Sequence, residues 1–213
     1  MPTSENYLVS VNAGQIGSET DSFTEKRYMQ FSRYLPKKSK LVVLDVGAGV
    51  GRGGKTLKSL HPDMTLIGLD CVAARVEVMP HSIYSERLCA LASSLPLQDR
   101  SIDAIVAGEF IEHVPPEMVD STLCEFFRVL SLHGRLLLTT PNPQYLKNKL
   151  RRLSVLSDLS HVSQHYPRFL KSRLLGIGFS SVFTRGSGRV TNLLGCRAPL
   201  FLYGSYFCAG TKW

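Results

Sequence analysis

Apolar residues along the chain follow two alternating patterns. Short apolar runs, "LVVLDVG" (41–47), "TLIGLD" (65–70), "ERLCAL" (86–91), "SIDAIVAG" (101–108), "RLLLTT" (135–140) and "GFSSVFT" (178–184), predict buried strands. Between them, apolar positions recur at helical spacing. Phe23, Tyr28, Phe31 and Leu35 predict a helix with Ser22 as N-cap and Pro36 as its stop. Further helices are expected from about Gly53 to Leu60, closed by Pro62, over "VAARVEVM" (72–79), and from Arg168 to Leu175. The stripe Val119, Leu123, Phe126, Phe127, Leu130 predicts one over 117–134, ending at Gly134. The tail, 199–213, reads as a last strand. Strands alternating with helices argue for parallel βαβ units in one doubly wound α/β sheet. Residues 1–21 are a polar extension without clear period, and the expectation is a single domain over 1–213.

Composition narrows this picture a little. With 213 residues, one well-buried core is expected and a second full domain is not. The start, "MPTSENYLVS", lacks the basic and apolar blocks of a signal peptide, and no apolar run approaches the roughly 20 residues of a membrane span. Five scattered cysteines with no C-x-x-C predict reduced thiols in a cytoplasmic protein and lean against structural zinc. The net charge of +8 admits nucleic acid, an anionic lipid surface, a phosphorylated substrate, or solubility alone. Its distribution is more telling: between Pro143 and Arg173 stand seven basic residues and one acid, Asp158.

Ligands of doubly wound sheets bind beyond the carboxyl ends of the strands. There the first strand runs into "GAGVGRGG" (47–54). Gly49, Gly51 and Gly54 spell the dinucleotide fingerprint, in which helix N–H groups approach a pyrophosphate. Asp45 spells a second pattern, D-x-G-x-G-x-G with Gly47, Gly49 and Gly51. A carboxylate at that strand end opposes a pyrophosphate. It suits S-adenosylmethionine (SAM), which carries an ammonium, a sulfonium and no phosphate. Asp70, ending the second strand, suits a ribose diol in either case.

Four stretches together, "VLDVGAGVGRG", "IGLD", "SSLPLQDRSIDAIVAGEFIEHV" and "GRLLLTTPNP", resemble the class I SAM-dependent methyltransferases. The group is the broad small-molecule type that includes ubiquinone-biosynthesis and sugar methyltransferases. The resemblance covers about residues 40–185. It implies a seven-stranded sheet, order 3-2-1-4-5-7-6, with the last strand antiparallel. It implies SAM as cofactor, with Asp45, Gly47, Ala48, Gly49 and Gly51 around the methionine moiety, Asp70 on the ribose, and Ala107 and Glu109 beside the donor. The family's acid for the adenine amino group falls here on Leu91, a departure. Adenine recognition is therefore expected from the backbone of Leu91 and Ala92, with Cys71 and Val72 packing on the ring.

Beyond the fourth strand, "GEFIEHV" (108–114) places Glu109, Glu112 and His113 next to the expected donor. His113 is a candidate base for a hydroxyl acceptor, or part of a helix cap; His161, further along, is likewise a candidate base or substrate contact, or else a hydrogen-bonded structural histidine. The resemblance also implies a metal reading. Some ubiquinone-biosynthesis and small-RNA methyltransferases bind Mg²⁺ or Mn²⁺ through E-x-x-E-H and a later histidine. Here that set is Glu109, Glu112, His113 and His161, with His165 as the alternative fourth ligand. Downstream, residues 143–166 form a basic segment expected to cover the substrate. If helical, its Leu146, Leu150 and Leu153 share a face opposite Lys147, Lys149, Arg151 and Arg152. Such a lid suits a small or lipid-linked anionic acceptor, peripheral contact with a membrane, or RNA, or else is a solvated helix packed by its leucines. No aromatic platform for single-stranded RNA interleaves the charges, so nucleic acid is not favoured. The leading function is an O-methyltransferase on a small or lipid-linked acceptor, a sugar among the candidates. The alternatives are an NAD(P)-dependent oxidoreductase and a non-catalytic SAM- or nucleic-acid-binding partner protein.

Overall fold

A computed structural model describes residues 9–10, 12–14, 23–188 and 190–213. Ser22 and most of the polar extension lie outside the described residues. The elements are helix α1 (Thr24–Ser32), strand β1 (Val42–Val46), α2 (Arg52–Leu60), β2 (Thr65–Asp70), α3 (Ala73–Val78), β3 (Glu86–Cys89), β4 (Ile102–Gly108), α4 (Val119–Val129), β5 (Leu130–Pro141), α5 (Leu146–Leu150), α6 (Pro167–Ile177), β6 (Phe179–Ser187), α7 (Thr191–Leu194) and β7 (Ser205–Lys212). The strands form one seven-stranded sheet in the order β3-β2-β1-β4-β5-β7-β6. β7 is antiparallel to both neighbours, as the resemblance implies.

Strand alternation sorts the core into two layers. Leu44 and Val46 of β1, with Ile105 and Ala107 of β4, face α4 and α6 through Leu123, Phe126, Leu170 and Leu174. Val43, Ala104 and Val106 face the other way, onto Tyr28 and Phe31 of α1 and Leu57 of α2. Both faces of the central strands are covered, which explains their unbroken apolar runs. Deleting a fully buried ring such as Phe126 costs about 3–5 kcal/mol.

One boundary differs from the sequence reading. α4 ends at Val129, and Leu130 turns extended (ψ 135°) and pairs with Ile102 at the start of β5. The helical spacing of Leu130 is thus used in the sheet. The strand then shifts register before Arg135, with His133 left-handed (φ 63°). Gly134 belongs to that irregularity and not to a helix cap: a Cβ there would press on the Ser131 carbonyl at 2.8 Å.

Candidate donor and acceptor sites

The glycine loop connects β1 to α2. Gly47, Gly49 and Gly51 are all left-handed. At Gly49 an added Cβ would meet nothing within 4 Å, so the backbone there forms the wall of open space. Gly53 and Gly54 serve a different need: a Cβ at either would overlap the ring or hydroxyl of Tyr28 or Tyr84. The Gly49 N–H donates to Asp70 Oδ2 (3.0 Å), and the Val72 N–H donates to Asp70 Oδ1 (2.9 Å). Asp70 thereby ties the loop to the end of β2. Beside them opens a cavity of about 680 Å³. Of the predicted donor residues, Gly47, Ala48, Gly49, Asp70, Cys71, Leu91, Ala92 and Glu109 line it. Burial pushes the Cys71 thiol up to about 11, so it is an uncharged wall group.

Four predicted donor residues do not line it. Asp45 shares its strand face with Val43, so it points under α1 and away from the opening. Its carboxylate accepts from Tyr28 Oη (2.5 Å) and Tyr84 Oη (2.7 Å). It contacts neither the space for a ligand nor the loop's N–H groups; it anchors two tyrosines. Burial raises its pKa to about 6, against the lowering effect of the two hydroxyls. Gly51 faces the Tyr84 ring and Pro80. Ala107 is sealed in the core, and Gly108 takes its place on the wall. Val72 is buried, and the bond its N–H makes to Asp70 is what it contributes here.

The other end of the cavity is built from two distant segments. After β4, a 3-10 turn (Ile111–His113) turns Glu112 inward and brings His113 to the wall. His161 arrives from the segment after α5. The ring centroids are 5.0 Å apart. His113 Nδ1 donates to the Ser160 carbonyl (2.9 Å), and His161 Nδ1 donates to the Val155 carbonyl (2.8 Å). A carbonyl only accepts, so each neutral ring carries its lone pair on Nε2. Burial pulls the His113 pKa below its usual 6.5.

Glu112 is fully buried. Its Oε2 accepts from Thr140 Oγ1 (2.9 Å), while Oε1 has no hydrogen-bond partner among the described residues. Burial, followed by the charge of Glu109, raises its pKa well above the ordinary value. Glu112, His113 and His161 offer one ligand atom each, all within 4.8 Å of one another. Glu109 is outside that group. Its Oε2 accepts from Ser205 Oγ (3.0 Å), and its Oε1 lies 3.6 Å from Arg27 Nε. The expected four-ligand set is therefore three. His165 is not the alternative fourth ligand: it is buried against Ser163 Oγ and the Ile111 carbonyl, off the cavity.

Sequence reading missed the cover that α1 provides. Phe23, Thr24, Arg27 and Tyr28 all line the cavity. The helical stripe was visible, but it reads as core, and Arg27 sits between its apolar positions without any motif. Arg75 was missed likewise; it donates to the Asn12 carbonyl (2.7 Å) and lies 3.9 Å from Asp70. In the basic segment only Leu146–Leu150 is α-helical, with a 3-10 turn at Val155–Ser157 after it, and the leucines of that helix are exposed where packing was one expectation.

Comparison with known proteins bears on the family and the fold. A family model described as a methyltransferase domain matches residues 44–138. Malonyl-[acyl-carrier protein] O-methyltransferase of Laribacter hongkongensis is 28% identical over 134 residues, 57% of this chain and 44% of that one. The mitochondrial ubiquinone biosynthesis O-methyltransferase of Rattus norvegicus is 30% identical over 117 residues, 51% of this chain and 33% of that one. The chain thus spans less than half the length of these two relatives. A SAM-dependent methyltransferase structure from Archaeoglobus fulgidus superposes with a TM-score of 0.70 at 19% identity, covering 88% of this chain and 92% of that one.

Proposed function

We propose that this chain, a class I SAM-dependent methyltransferase, methylates a hydroxyl oxygen of a small or lipid-linked anionic acceptor, a sugar among the candidates. The residues fit the donor. The Gly49 wall is open, the buried Asp70 carboxylate lines the cavity beside it, and Leu69, Leu91, Ala92 and Met118 offer an apolar seat for adenine. With Leu91 at the family's acidic position, that seat works by packing and backbone polarity. Bound SAM supplies an electrophilic methyl group.

The imidazole pair carries the choice of a hydroxyl. An acceptor that is already anionic at its reacting atom needs no base, whereas a hydroxyl must lose its proton as it attacks. His113 and His161 each have Nδ1 committed to a carbonyl, which leaves Nε2 as the basic nitrogen. One of them receives the proton, and the other positions the hydroxyl. Arg27 and Glu109, at the same end, orient the rest of the acceptor.

Two experiments test this reading. Calorimetry should show binding of SAM and its demethylated product but not NAD, and Gly49→Val should abolish it by filling the cradle. A folded Gly49→Val variant with unchanged affinity removes the donor assignment. Radiolabelled SAM, incubated with lipid, glycan, RNA and protein fractions of a cell extract, should then label a hydroxyl compound of the first two. Label in a carboxylate ester removes the hydroxyl.

A second reading rests on the orphaned Glu112 Oε1. A buried carboxylate oxygen without a donor is costly unless it is protonated or meets a cation. Glu112, His113 and His161 are a donor set that suits Mg²⁺, Mn²⁺ or Fe²⁺, and the ion would lower the pKa of an acceptor hydroxyl. EDTA should abolish turnover under this reading and leave SAM affinity intact. Activity indifferent to EDTA leaves the two imidazoles as a metal-free pair.

A further inference from the structure

The segment that delivers His161 also carries a surface that the proposed reaction does not use. Leu150 is 78% exposed and Leu159 is 96% exposed. Leu146 and Leu153, and Phe201 of the 3-10 turn Leu200–Leu202, are about half exposed. Tyr145, Leu146, Leu150, Phe201 and Leu202 line one shallow groove together with Lys147 and Arg151. Lys149 and Arg152 stand in the same short stretch. Among the described residues, none of these four cations is in an ion pair with an acid.

Bulky apolar side chains left in water at this density, mixed with unpaired cations, mark a docking surface. Charge and apolarity together choose the occupant. An acidic protein would answer the cations, but Leu150 and Leu159 stand almost wholly free of the surface and call for an apolar phase. A bilayer with anionic headgroups offers both, with leucines entering the acyl boundary and cations at the phosphates. The surface also leads to the reaction: Leu159, Ser160 and His161 continue from it into the cavity wall.

We propose that residues 145–159 with Phe201 dock this protein on anionic lipid bilayers, with the cavity mouth at the membrane surface. The proposal does not depend on the acceptor being a hydroxyl, and SAM binding is read separately. The test is co-sedimentation of the full chain with phosphatidylcholine vesicles and with vesicles that also contain phosphatidylglycerol. Binding is expected only to the anionic vesicles and should weaken as salt rises. Leu150→Glu should abolish it. Lys149→Ser with Arg151→Ser should weaken it by roughly fivefold per cation removed. Calorimetric SAM affinity should be unchanged in each variant, which shows that the fold and donor site are intact. Failure to bind anionic vesicles at low salt overturns the proposal, as does binding that Leu150→Glu leaves unaltered. Binding to a purified acidic carrier protein without any vesicle binding also overturns it and assigns the face to a protein partner.

Discussion

The two ends of the cavity are built differently. The donor end is fixed by backbone. Gly49 N–H and Val72 N–H both bind Asp70, Ala48 N–H binds the Leu69 carbonyl at 3.0 Å, and all of this sits on central parallel strands. The acceptor end is formed by side chains from segments nearly 50 residues apart, whose rings bond the Ser160 carbonyl in a turn and the Val155 carbonyl in a one-turn 3-10 helix. On the proposed reading, a ligand common to a whole family is met by the part of the fold that sequence changes least readily alter, and the acceptor is met by a loop. Affinity for the donor and turnover of the acceptor should therefore separate under mutation.

The largest separation is expected at the histidines. His113→Ala and His161→Ala should each lower turnover by roughly 10²–10⁴-fold, the usual worth of a positioned base, while SAM affinity by calorimetry changes little. If SAM affinity falls in parallel with turnover, the two ends are one unit and the comparison breaks.

A smaller effect is expected beneath the donor end, at Asp45. Its pKa is raised from 3.8 to about 6 by burial. The folded state holds that proton more tightly than the unfolded state, so this group contributes stability that is fully present below pH 3.8 and lost as pH rises through 6. The shift of about two units corresponds to roughly 3 kcal/mol at most. Asp45→Asn cannot titrate. Denaturant unfolding of both proteins should show wild type losing stability relative to Asp45→Asn between pH 4 and 7. A constant difference would mean that Tyr28 and Tyr84 keep Asp45 ionised throughout.

Asp45 also shows where sequence reading stopped. The loop, the strand ends and the sheet order were legible because each leaves a local mark: an apolar run ending in an acid, or glycines at fixed spacing. β2 runs over Thr65–Asp70, the predicted "TLIGLD". The partners of Asp45 lie 17 and 39 residues away, Tyr28 on a helix face that reads as plain core and Tyr84 in the loop before β3. Glu109 lines the cavity as expected but misled as a metal ligand for the same reason, since Arg27 and Ser205 claim it from distant elements. At the lid, Leu146 and Leu150 do line one groove, while Leu153 lies beyond the end of the helix. Whether such a face is covered depends on what packs there, and periodicity does not carry that. His113 and His161 came from the family pattern; the carbonyl bonds that orient their rings could be seen only in the structure.

Asp70 sharpens the comparison at the donor end. Asp70→Ala should weaken SAM binding by about 1–3 kcal/mol, the scale of lost hydrogen bonds to a charged group. Because Asp70 also holds two backbone N–H groups, Asp70→Asn should lose less than Asp70→Ala: its amide oxygen still accepts one of them. Equal losses would place the whole effect on contact with the ribose and none on the loop. Turnover at saturating SAM should survive both changes.

The smallest effect is the pH dependence of turnover, and it tests how the acceptor end works. A base must be neutral to receive a proton, so the rate rises with pH through its pKa. Burial lowers the pKa of His113 below 6.5, with the charge of a protonated His161 acting in the same direction and the Ser160 carbonyl opposing it. More than half of the ring is then already neutral at pH 6.5. If His113 is the base, raising the pH from 6.5 to 8 should increase turnover at saturating substrates by less than about twofold. The steep limb should lie below pH 6.5 and disappear in His113→Gln, leaving a low, flatter profile. A limb that stays in His113→Gln and vanishes in His161→Gln moves the proton to the second ring. A limb that follows the identity of an added divalent ion, shifting between Mg²⁺ and Mn²⁺, belongs instead to a hydroxyl bound at the metal set of Glu112, His113 and His161.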